Sequence, residues 1–224
     1  RAGCSAMIVR PFDGALALIT QPDHANLARR IMERCVPLAG HPRRADILHA
    51  VGEHHNGWTG TDAAPVVDRE TGRLSDFVRL PVPARHDVWR RGITSLAQRP
   101  WPAALVAHHA ITVYDRYRAD RAWDGFFVEM ERARTAMVAA SGHDPADLPD
   151  DYQFVRLGDL ISLAFCTGSN DRQAFGGWSL ALEDTRVTIS PDIFGGEVVA
   201  VEVVAREIPD MAWPDDEALR AAIG

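Results

Sequence analysis

Between residues 21 and 167 the apolar residues recur at intervals of three and four, whereas after the loop SNDRQAFGG at 169–177 they alternate. This change of period, from about 3.6 to 2, separates a helical part of the chain from a strand-forming part. Helical patterns are predicted from about 21 to 35, 44 to 55, 84 to 98, 102 to 119, 123 to 141 and 151 to 167. Thr20–Asp23, reading TQPD, supplies the cap and early proline that start the first helix, and Asn56-Gly57 is expected to stop the second. WSLALE, TRVTIS and EVVAVEVVARE read as strands, with a closing helix opened by Asp215. At the other end, MIVRPF and ALALIT flank Asp13-Gly14 as a β-hairpin. The fold class is therefore mainly α, with a small antiparallel β-sheet formed by the N-terminal hairpin and the C-terminal strands. A long ordered loop is expected over 57–83, where Gly, Pro and DRETGR interrupt any period.

Forty-six per cent of the 224 residues are hydrophobic, which suits one substantial core, so a single domain is expected over 7–224. Its helical part covers about 20–167 and its β-rich part about 178–206. Residues 1–6 precede Met7 and its strand-like IVRP, and are read as an upstream extension. The formal charge is −7, and the arginines are interleaved with acids, which argues against a nucleic-acid surface. No apolar run reaches the length of a membrane span, and the three dispersed cysteines suggest neither a disulfide framework nor a thiolate zinc site. A cytoplasmic protein acting on a small molecule, with homo-oligomerisation left open, is the expectation.

Several ionisable residues fall where apolar ones should. His24 precedes Leu27, Ala28 and Ile31 at helical spacing and should point inward, as should His54, three residues after Val51. His55 falls at the border of that face. One of His108 and His109 must approach the core, since neighbouring helical positions differ by about 100°. Asp159 lies in FVRLGDLISLAFC, an almost wholly apolar helix, so its carboxylate must be protonated, paired with Arg156, hydrogen-bonded, or bound to a cation. Any one buried histidine is ordinarily a packing residue, but imidazoles and a carboxylate converging from four helices favour a metal site. Trp58 and Asp62, just beyond EHHNGW, are placed to roof it. His41, His49, His86 and His143 are assigned to surface or loop positions, and Ser162 to helix packing.

The order His24, His54-His55, Asp159 resembles the HD superfamily of helical metal-dependent phosphohydrolases. MIVRP, ITQPDHANLA, EHHNGW, DAAPVVDRETGR and LGDLISLAFC also look like an uncharacterised bacterial family, domain-of-unknown-function family 3891. The first resemblance implies an HD-like helical core in which His24, His54 and Asp159 ligate a divalent first-row metal: iron, manganese, zinc or nickel. It places the paired acid at position 55, where this chain has His55. A neutral imidazole offers one lone pair to one ion, so a single metal is expected rather than two. Such an ion would activate a water for hydrolysis of a phosphate ester, with His55 or His109 moving the proton and His108 as a further pocket residue. Arg116 and Arg156 are candidates to neutralise the anionic group. An iron-dependent oxygenase of HD type and a non-catalytic metal or small-ligand sensor are the alternatives.

Overall fold

The computed structural model describes residues 7–63, 65–75 and 80–223. The expected extension at 1–6, and positions 64 and 76–79 of the expected loop, lie outside them. Strands β1 (Ile8–Phe12) and β2 (Ala15–Ile19) form the predicted hairpin, turning at Asp13-Gly14. Helix α1 (Gln21–Met32) follows, where the Thr20 hydroxyl accepts from the Asp23 amide and donates to its carboxylate. A short α2 (Val36–Ala39), which no periodicity announced, leads to α3 (Arg44–Glu53).

After α3 the chain makes a 3₁₀ turn at Asn56–Trp58 and a one-turn α4 (Thr59–Asp62), then an isolated bridge between Val67 and Leu74. Helices α5 (Val82–Ser95), α6 (Pro100–Tyr114), α7 (Asp124–Ser141) and α8 (Leu148–Thr167) complete the helical part. One core cluster joins Leu27, Val51, Trp89, Leu105, Phe126 and Val155, contributed by α1, α3, α5, α6, α7 and α8. Most predicted helices are present with boundaries shifted by a few residues. The largest shift is at α6, which ends at Tyr114 instead of about 119 because the chain tightens into a 3₁₀ turn at Asp115–Tyr117.

The C-terminal strands sort into two sheets. β3 (Gln173–Phe175), β4 (Trp178–Glu183) and β5 (Arg186–Ser190) pair antiparallel with each other. Only β6 (Arg206–Pro209), the end of the predicted EVVAVEVVARE strand, joins the hairpin, pairing with β2. Residues 198–204 keep the alternating exposure of a strand but belong to no sheet ladder among the described residues. Met7, Leu16, Leu18, Ile208 and Leu219 make a second small core between the hairpin sheet and α9 (Asp216–Ile223). Arg10 ties the hairpin to α8 by donating to the Phe165 carbonyl at 2.7 Å. No helix among the described residues is long and apolar enough to cross a membrane.

Candidate metal centre

Two glycines allow the site-bearing elements to approach. A Cβ on Gly57 would lie 2.1 Å from the Val88 carbonyl oxygen and 2.8 Å from the Gly92 nitrogen, so the turn after α3 is pressed against the backbone of α5. Gly57 is thus needed for contact rather than as the helix stop read from the sequence. Gly158, beside Asp159, lets α8 close on α1, since a Cβ there would meet the Met32 side chain at 2.8 Å.

His54 caps α3 in helical conformation, while His55 has already left it, with φ −122° and ψ 20°. This break explains how adjacent residues serve one pocket: both rings face inward with centroids 4.2 Å apart, where a continuing helix would have swung one away. His24 on α1 lies 5.2 Å from the His54 ring, and His109 on α6 lies 5.1 Å from it. Asp159 reaches this group from α8. His24, His54, His109 and Asp159 are buried, and His55 is partly open. One donor atom each from His24, His54, His55 and Asp159 falls within 4.8 Å of all the others. Four donors at about 2.0–2.1 Å around one ion stand about 3.4 Å apart in a tetrahedron, so the group would contract on taking one up.

For His54 the hydrogen bonds fix which ring nitrogen carries a proton. His54 Nδ1 is 2.6 Å from the Val51 carbonyl oxygen and must donate to it, leaving a lone pair on Nε2. That Nε2 lies 3.4 Å from Asp159 Oδ1 yet makes no hydrogen bond. The Ser162 hydroxyl faces the carbonyls of Gly158 at 2.9 Å and Asp159 at 3.1 Å. The same hydroxyl lies 3.0 Å from His24 Nδ1, and His24 Nε2 lies 3.1 Å from Asp159 Oδ1: a ring protonated on Nε2 donates to the carboxylate, and a ring protonated on Nδ1 donates to Ser162 and frees Nε2 for a cation. His109 Nδ1 pairs with the Tyr152 hydroxyl at 3.2 Å, while its Nε2 is buried and unpartnered 3.8 Å from Asp159 Oδ2. His55 Nδ1 is likewise buried without a partner.

Burial disfavours the charged form at three of these imidazoles. It lowers the His24 pKa, and it drives His55 and His109 well below the ordinary histidine value. Asp159 remains ionised: burial opposes its charge, but the flanking His24 and His54 imidazoles, His109 and Arg156 turn the balance and hold it well below the usual carboxylate range. Arg156 donates to Oδ2 at 2.6 Å. An anionic carboxylate thus sits among imidazole nitrogens, the set of groups that a cation would take as ligands. Buried Asp151 shows the contrast. It is satisfied by two bonds from Arg43 and one from Trp101 Nε1, and nothing around it lacks a partner.

The other predicted site residues divide. Trp58 borders the group, its ring 5.9 Å from that of His55. His108 turns away, packing on Tyr152 and meeting Arg134 Nη1 at 3.2 Å; burial and that guanidinium lower its pKa to about 4. Arg116 is a correction: it is exposed at the end of α6 and lies over the Tyr117 ring, with no contact to the imidazoles. Asp62 is another. It is buried, but it accepts from the Gln21 amide at the start of α1 and faces a different cavity. Ser162, Tyr152 and Trp89, which packs on both His55 and His109, were not singled out for the pocket. Ser162 is three residues after Asp159 and Tyr152 seven before it, so helical spacing from the acid was the available signal.

The family model described as a protein of unknown function (DUF3891) matches residues 7–210, which spans every proposed ligand. The chain belongs to the DUF3891 family. No curated protein and no solved structure gives a significant match to this DUF3891 protein.

Proposed function

We propose that His24, His54, His55 and Asp159 hold one divalent first-row metal ion, with His109 as a further donor, and that the chain is a metal-dependent hydrolase acting on a small phosphate ester. The observation that carries the metal is the convergence on Asp159 Oδ1 of His24 Nε2 and His54 Nε2, each ring having a hydrogen-bond partner at its opposite nitrogen. Metal-bound histidines are ordinarily oriented in this way, by a carbonyl or other acceptor on the second nitrogen. Imidazole and carboxylate donors suit iron, manganese, nickel and zinc.

A single ion is favoured because Asp159 Oδ2 is already taken by Arg156 and position 55 lacks a second carboxylate. When bound, such an ion would supply an activated water and polarise the oxygen that departs. His55, with part of its surface open, is the residue placed to exchange a proton with a bound ester. His109 pairs with Tyr152 through Nδ1 and turns Nε2 towards the site. Hydrolysis of a phosphate ester rests on the resemblance of the His24, His54-His55, Asp159 order to the HD superfamily.

The test is turnover of a phosphate-ester panel by protein loaded in turn with manganese, iron, nickel and zinc. Metal-dependent turnover lost in Asp159→Asn supports the reading, and no turnover with any bound metal overturns the hydrolase. His55 at the place of an acid also favours a non-catalytic metal sensor. His55→Asp distinguishes the two, because hydrolysis appearing only in that variant would identify the parent chain as a binding protein.

A further inference from the structure

A second cavity, of about 450 Å³, opens where the hairpin sheet, α9, the start of α1 and the one-turn α4 meet. Thr20, Thr59 and Asp62 contribute polar groups to its lining, Arg206 and Arg220 contribute positive charge, and none of His24, His54, His55, His109 or Asp159 lines it. Its notable group is Asp62, with a relative exposure of 4%. One carboxyl oxygen, Oδ2, accepts from the Gln21 amide at 2.6 Å. The other, Oδ1, is buried and has no hydrogen-bond partner among the described residues. A buried polar oxygen left without a partner costs about 1–3 kcal/mol unless a ligand or water completes it.

The chemistry of the lining selects the ligand. Arg206 comes from β6 and Arg220 from α9, and guanidinium groups recognise carboxylate and phosphate oxygens. An ionised Asp62 would repel such a ligand, whereas a protonated Asp62 carries its hydrogen on Oδ1, since Oδ2 is occupied by the amide. We propose that this cavity binds a small oxyanion, a carboxylate or a phosphate, held by Arg206 and Arg220 and completing the unpartnered Oδ1 of Asp62.

The charge state is consistent with this role. Burial raises the Asp62 pKa to about 7, opposed by the Gln21 amide and reinforced by nearby Asp23. Asp23 on α1 is the charged group that acts on Asp62; Arg206 on β6 and Arg220 on α9 line the same cavity, and Arg91 of α5 reaches neighbouring Thr61. The Arg220 guanidinium donates through Nε to the Pro65 carbonyl at 3.1 Å and lies 3.7 Å from the Asp216 carboxylate, which holds it at the cavity wall. Binding of an anion would thus take up a proton as the solution passes neutrality. The site does not depend on the metal centre.

The experiment is an NMR titration of metal-stripped protein with sulfate, a probe whose own charge stays constant over the range in which Asp62 titrates. Saturable shifts should appear at residues lining the cavity. Affinity should fall by about tenfold for each pH unit above about 7. Arg206→Gln together with Arg220→Gln, checked for an unchanged fold by the same spectra, should weaken binding at least tenfold. Asp62→Asn, which keeps an N–H donor and cannot ionise, should bind sulfate with no such pH dependence. The proposal is overturned by absence of saturable binding, by binding indifferent to the two arginines, by a parent protein with no pH dependence, or by preference for ethylammonium over sulfate.

Discussion

Replacing Asp62 by Asn should stabilise the protein at alkaline pH and much less so in mild acid. A folded-state pKa of about 7, against the ordinary aspartate value of 3.8, means the folded chain holds the Asp62 proton more tightly than the unfolded chain. The stability linked to that proton is fully present below the unfolded value and is lost as the pH rises through the folded one. Each pH unit between the two corresponds to about 1.4 kcal/mol, so about 4 kcal/mol is lost in all. Asparagine has nearly the same shape, its oxygen can accept from the Gln21 amide, and it carries no charge to desolvate. Between about pH 5 and about pH 8.5 the stability of Asp62→Asn relative to the parent should therefore grow by about 3 kcal/mol. In a chain of this size that is a relative rise in Tm of about 6–12 °C. Urea unfolding of both proteins at the two pH values measures it, and other titrating groups cancel in the difference. An equal difference at both pH values, or a variant that loses ground as pH rises, would refute the assignment of a raised carboxyl.

Ser162→Ala removes the hydroxyl that orients the His24 ring through Nδ1 while leaving all donors of the metal group in place; metal affinity should fall by about 10–100-fold with the fold intact, measured by competition with a chelator. Gly57→Ala should be markedly destabilising, by about 3 kcal/mol or more, because the added Cβ meets backbone atoms of α5 that cannot move independently. Gly158→Ala meets the flexible Met32 side chain and a Val51 methyl, so about 1–2 kcal/mol is expected; chemical denaturation of both variants tests the order.

The helical half was legible because its apolar period continues from α1 to α8, and the hairpin because Asp13-Gly14 sits between two apolar runs. The fate of 198–204 was not, since a Val-rich alternating segment specifies a strand without naming its partner, and only Arg206–Pro209 found one. Within the site, His24 and Asp159 were readable as polar residues on apolar faces. His55 was less so, because helical geometry assigns it to the border and only the backbone break after His54 turns it inward. His109 could not be separated from His108 until the packing of α6 buried one and turned the other to Arg134. Arg116 and Asp62 were grouped with the pocket by nearness in sequence alone, which the ends of α6 and α4 do not respect.

The central claim is that buried imidazole nitrogens and Asp159 surround a place for one cation. Elemental analysis of protein purified without any metal-affinity step, followed by reloading of the stripped protein, tests it most directly. The account predicts close to one equivalent of a first-row divalent metal per chain, lost in His54→Ala and in Asp159→Ala. A parent chain that carries no metal and takes up none of manganese, iron, nickel or zinc, while remaining folded, would contradict it.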